Sequence, residues 1–192
     1  MQAFRKSALI VALTLGAAGA MAGEIANTGV TADGANSTAT GFLSSAQQNI
    51  GVADGANAKI LNSNVNVQGA NNTASGFLSS ARQNVGFASG NGRIEQNTQI
   101  RATNARNTAS GFLSSATQQI GFATENGRVQ NSRVTATNVG NTASGFLSSA
   151  RQEIGGAANG GVLNNVTVLA TNSNNSASGF LSSSTQRIGV AR

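Results

Sequence analysis

Gly76-Phe77-Leu78-Ser79-Ser80-Ala81-Arg82-Gln83-Asn84-Val85-Gly86 is one of five near-copies of a single segment. The others begin at Gly41, Gly111, Gly145 and Gly179, so successive copies stand 35, 35, 34 and 34 residues apart. A period of this length marks a repeat architecture, and repetition decides the fold before local propensity does. It also points to an extended surface or a fibre rather than a single catalytic pocket.

Five copies in one chain can be compared with each other. Two positions of the segment vary freely: Gln47, Arg82, Thr117, Arg151, Thr185, and two residues on Asn49, Asn84, Gln119, Glu153, Arg187. In a strand these share a face; in a helix they point about 200° apart. Variation at period two therefore predicts a strand with that face in solvent. The opposite, nearly constant face reads Phe77, Ser79, Ala81, Gln83, Val85, and is expected to point inward. A helix is the alternative for this block, with Ser75 as its cap and Phe77, Leu78, Ala81 and Val85 on one side.

A second strand is expected upstream. Val30, Val65, Ile100, Val134 and Val168 each lie eleven residues before the motif glycine. Ala32, Val67, Ala102, Ala136 and Ala170 follow two residues later, with variable residues between. This is period two again, with β-branched residues inward. Asn27, Asn62, Asn97, Asn131 and Asn165 precede that strand and suit a turn. Gly34, Gly69, Asn104, Asn138 and Asn172 follow it. Gly and Asn enter the left-handed region most readily, which predicts a bend there. The one-residue changes in spacing are assigned to the looser connections at 88–93, 123–128 and 157–161.

The unit reads as strand, bend, strand, loop. Such strands are too short and polar to stand alone. Stacked about 4.8 Å apart, they pair with their equivalents in a β-solenoid of five rungs, roughly 24 Å tall. The fold class is all-β. Stacking places Phe42, Phe77, Phe112, Phe146 and Phe180 in one ladder and Ile50, Val85, Ile120, Ile154 and Ile188 in another. Both are expected to form the core. Leu43, Leu78, Leu113, Leu147 and Leu181 point the other way, over a bend or towards another solenoid. Gln48, Gln83, Gln118, Gln152 and Gln186 fall on the inward face, where a stacked amide donates to one neighbour and accepts from the other. A surface glutamine retained by duplication is the plainer reading.

The start of the chain reads differently. Arg5 and Lys6 precede an apolar, small-residue run from Ala8 to Ala20, and Ala20-Met21-Ala22 fits the small-x-small cleavage rule. Residues 1–22 are therefore expected to be an export signal, leaving 23–192 as the five-repeat solenoid of a secreted, cell-surface protein. The apolar run falls short of the roughly 20 residues of a membrane span, and no span is expected in the mature part.

Composition narrows the function. The chain has no His, Cys, Trp or Pro. Thiolate and imidazole metal sites, and Ser-His or Cys-His catalysis, are excluded. Glu24, Asp33, Asp54, Glu95, Glu125 and Glu153 occupy unrelated places in the repeat, so no acid–base pair is preserved. No catalytic residue, metal or cofactor is expected. The net charge is +6, but the cations are scattered singly rather than striped, which argues against nucleic acid. The first repeat starts just after the expected cleavage, and the last stops at Gly189-Val190-Ala191-Arg192. No polar cap is evident at either end, and open strand edges invite further pairing.

In plan the chain resembles secreted functional-amyloid subunits of bacterial biofilms. Curlins share the signal peptide, the Ser/Asn/Gln/Gly-rich strand–turn–strand repeats and the stacked amides, but their repeats are shorter and their motif differs. Fap-type fibre subunits are nearer in repeat length. Their flavour is echoed by Asn84-Val85-Gly86-Phe87-Ala88-Ser89-Gly90 followed by Gln96-Asn97. The resemblance implies a homopolymeric fibre on the cell surface, served by export and nucleation proteins. A binding solenoid, such as an adhesin, is the alternative, as is a fibre nucleator. Ice binding would want a regular Thr array; Thr103, Thr137 and Thr171 line up, but Asp33 and Gln68 interrupt it.

Overall fold

The computed structural model describes residues 23–192; the expected export signal lies outside the described residues. The chain is a β-solenoid of five rungs built from parallel strands stacked in register. The motif block is a strand in every copy: Leu43–Val52, Leu78–Phe87, Leu113–Ile120, Leu147–Ile154 and Leu181–Ile188. These form one five-stranded sheet, here the third face. The first face stacks Gly29–Asp33, Asn64–Gln68, Gln99–Thr103, Arg128–Thr137 and Leu163–Thr171, with the short strands Glu24–Ala26, Lys59–Leu61 and Arg93–Glu95 continuing its edge.

A further sheet lies between them. Asn36–Thr40, Asn71–Ser75, Arg106–Ser110, Gly140–Ser144 and Asn174–Ser178 stack as the second face. Each rung therefore holds three principal strands, where the sequence pattern suggests two.

The corners follow backbone chemistry. Asn27, Asn62, Asn97, Asn131 and Asn165 all have positive φ, as do Gly34, Gly69, Asn104, Asn138 and Asn172. The corner between second and third faces is the motif glycine. Gly76, Gly111 and Gly145 have φ of 156–157°, and a Cβ on any of them would lie 1.5–1.6 Å from the carbonyl oxygen of the glycine one rung below. Only glycine lets the stacked backbones approach this closely.

The register places one spacing change away from the loops. Arg93 pairs with Arg128, 35 residues on, but Gln99 pairs with Arg133, 34 on. The third rung thus holds an extra residue at its Asn corner, where Gln96 and Asn97 both take positive φ.

Two cores run the length of the stack. The broad one is aliphatic, with Val30, Ile60, Val65, Val85, Ile94, Ile100, Ile120 and Val134 among its members. The narrow one, between second and third faces, is made only of alanines: Ala74, Ala109 and Ala143 against Ala46, Ala81, Ala116 and Ala150. Alanine on both sides lets two sheets close on each other, and it brings the amide columns beside it within reach of facing carbonyls.

Candidate functional site

The ladders are the functional geometry of a repeat, since each residue type recurs along the axis. Inward on the third face, Gln48, Gln83, Gln118 and Gln152 are buried. Each amide donates from Nε2 to the Oε1 of the rung below: Gln83 to Gln48 at 2.7 Å, Gln118 to Gln83 at 2.7 Å, Gln152 to Gln118 at 2.6 Å, Gln186 to Gln152 at 2.6 Å. The copies satisfy one another, which is how a buried amide escapes its desolvation cost.

A second amide column sits on the second face: Asn72, Asn107 and Asn141 are buried, and Asn175 on the last rung is partly exposed. This column runs the opposite way. Asn72 Nδ2 donates upward to Asn107 Oδ1 at 2.7 Å, Asn107 to Asn141 at 2.8 Å, and Asn141 to Asn175 at 2.7 Å. Each also donates across the narrow core to third-face carbonyls; Asn107 reaches those of Ala81 and Thr117 at 3.0 Å. This column also has a signal in the repeat. Asn or Ser recurs beside a free position and two residues before an invariant alanine, which is period two again. In the first rung Ser37 stands in the column, and the Oδ1 of Asn72 above it has no partner.

The phenylalanine ladder forms but is not core. Rings stack 4.9–5.1 Å apart and within 10° of parallel. They stand outside the solenoid: Phe77, Phe112 and Phe146 are each 44 % exposed, Phe42 69 % and Phe180 76 %. The reason is the corner. Ser79, Ala81, Gln83 and Val85 alternate inward from the strand start at Leu78, but Phe77 precedes that start and follows the left-handed glycine, so the alternation does not reach back to it. The leucine column turns outward as well. The Ile50, Val85, Ile120 and Ile154 column is buried, whereas Ile188 is exposed on the last rung.

The two free columns differ. Gln47 and Arg82 are exposed as expected. The other column is covered in part, because stacked long side chains bury each other. Asn84 donates to Asn49 at 2.9 Å, and Gln119 to Glu153 at 3.0 Å. Glu153 is fully buried and meets three arginines: Arg151 at 2.8 Å, Arg187 at 3.3 Å, and Arg192. Burial pushes its carboxyl up. The hydrogen bonds of Arg151 and Gln119 and the charges of Arg151 and Arg192 outweigh that and hold it below its ordinary value.

The turn asparagines also bond along the axis, Asn62 to Asn27 at 2.7 Å and Asn165 to Asn131 at 2.8 Å. On the first-face edge, Lys59, Arg93 and Arg128 are register partners in three adjacent rungs, with Glu24 below Lys59 in the first rung. Thr103, Thr137 and Thr171 are likewise in register, with Gln68 below them and Asp33 below that. Among the described residues no three His, Cys, Asp or Glu side chains converge as metal ligands, and no helix is long and apolar enough to cross a membrane.

No protein-family model, curated protein or solved structure matches the chain. The fold is that of a repeat protein suited to a structural or binding role.

Proposed function

We propose that this chain is the structural subunit of an extracellular fibre, assembling end to end by stacking the first rung of one copy on the last rung of another. The observation that carries the reading is the fit between the two end rungs. Gln48 Nε2 on the first rung has only a long contact, 3.5 Å to the Asn71 carbonyl. Gln186 Oε1 on the last rung accepts no hydrogen bond among the described residues. One end thus offers the donor that the other end lacks. The same stacking sets Phe42 on Phe180, Leu43 on Leu181 and Ile50 on Ile188, and covers apolar side chains that the last rung leaves exposed. Apolar burial of this kind contributes about 25 cal/mol per Å². Export and nucleation partners belong to this reading.

The test follows purified residues 23–192 by thioflavin fluorescence and fibre diffraction. The expected result is filaments with a meridional reflection near 4.7–4.8 Å. A persistently monomeric, soluble chain refutes the reading.

A second reading, a binding solenoid on the cell surface, is favoured by the Lys59–Arg93–Arg128 column. Like charges in adjacent strands repel, and an acidic polymer laid along the axis relieves that. The triple change of these residues to Gln should lower retention on an acidic polysaccharide. Changing Arg82, Arg106 and Arg187, which removes the same charge elsewhere, is the control. Equal losses count against a dedicated site.

A further inference from the structure

The outward Phe–Leu stripe has no use in end-to-end stacking beyond the rung at each joint. We propose that it is a lateral interface through which two copies of this chain pair side by side. The reading is independent of the end-to-end joint.

Three observations carry it. The first is area. The five rings are 44–76 % exposed, and at roughly 200 Å² per phenylalanine they leave on the order of 500 Å² of apolar surface before the leucines are added. That reaches the largest patch an ordinary monomer exposes and approaches the ~800 Å² per partner of a stable interface.

The second is charge. The stripe lies between two hydroxyl columns. One is Thr40, Ser75, Ser110, Ser144 and Ser178; the other is Ser45, Ser80, Ser115, Ser149 and Ser183. Residues 23–192 carry ten Lys/Arg and six Asp/Glu, a net charge of +4, so copies repel over most of their surface, but no cation lies within this strip.

The third is shape. The stacked rings make a ridge with a repeat of about 5 Å. Beside it runs a groove of about 630 Å³, lined by the leucine column and the adjoining serines. A ridge next to a groove on one surface is self-complementary under a two-fold axis. The ridge of each copy seats in the groove of the other, and a second solenoid of the same pitch supplies teeth at the matching spacing.

Sedimentation of residues 23–192 tests this, alongside the triple variant Phe77→Ser, Phe112→Ser, Phe146→Ser. That variant leaves both end rungs intact. With end stacking blocked in both by Ile188→Lys on the exposed last rung, the otherwise wild-type chain should sediment at twice the chain mass and the triple variant at half of that, with the same β-sheet circular dichroism. Cysteine supplies an independent readout, since the chain has none. Ser115→Cys, in the groove, should cross-link copies with a short bis-maleimide; Arg101→Cys, on the first face, should not. A monomeric Ile188→Lys chain, or equal cross-linking at both positions, overturns the proposal and leaves the stripe to another occupant. The two assembly readings separate by microscopy: loss of lateral pairing alone leaves filaments one solenoid wide, and loss of end stacking alone leaves discrete pairs.

Discussion

The motif block carries a glutamine and a phenylalanine six residues apart, and the solenoid places them against their usual habits. Gln118 is completely buried, whereas Phe112 is nearly half exposed. Stacking explains both. A glutamine inside the rung finds its donor and acceptor in the copies above and below, so burial costs it little. A phenylalanine at the corner finds ring faces above and below, but nothing beside it. Identical neighbours along one axis satisfy directional groups fully and apolar groups only in part.

The contrast can be broken most severely at the glycine that sets which side the phenylalanine takes. Gly111→Ala places a Cβ 1.5 Å from the Gly76 carbonyl oxygen at a φ of 157°. The third rung should part from the second, with a loss of more than about 4 kcal/mol in denaturant unfolding. Next comes the buried row. Gln118→Ala orphans Gln83 Oε1 and Gln152 Nε2, at a cost of roughly 3–5 kcal/mol for two stranded groups and a cavity. Gln186→Ala, on the exposed last rung, should cost about 1 kcal/mol. Equal losses at the two positions would show that the row is not read along the axis.

Glu153 tests a charge in the outer layer. Its carboxyl is held below the ordinary value, so its stabilisation is present above that value and is lost as the pH falls through the lowered one. Glu153→Gln should cost about 1–2 kcal/mol near neutrality, a figure reduced by the exposure of the three arginines. The gap in melting temperature between wild type and variant should close in acid; a gap independent of pH contradicts the assignment. Outside, Phe112→Ser loses a stacked ring on each side, at about 0.5–1.5 kcal/mol per pair, and should leave the unfolding transition cooperative.

Much of this was legible in the sequence, because five copies show which positions are free. The inward faces of Val65 and Gln83, the solenoid, and the left-handed Asn and Gly corners all follow from that comparison. The phenylalanines were misplaced by carrying strand alternation through a corner glycine, whose φ reverses the side it serves. The second face was hidden because Asn-Thr-Ala-Ser has the composition of a bend. Its buried Asn107 becomes acceptable only once a neighbouring rung supplies the partner. The burial of Glu153 depends on Arg192, 39 residues away, which no repeat position encodes. The extra Gln96 is visible only as a change of spacing, and the spacing alone does not say where in the rung it falls.

The opposed directions of the two buried amide rows have an electrostatic consequence. Side-chain amides aligned head to tail would add their dipoles rung by rung, as peptide groups do in a helix. Here the glutamine row points its donors towards the first rung and the asparagine row towards the last. Their moments oppose, and the parallel strands run across the axis rather than along it. The two buried rows thus build little axial field between them as rungs are added.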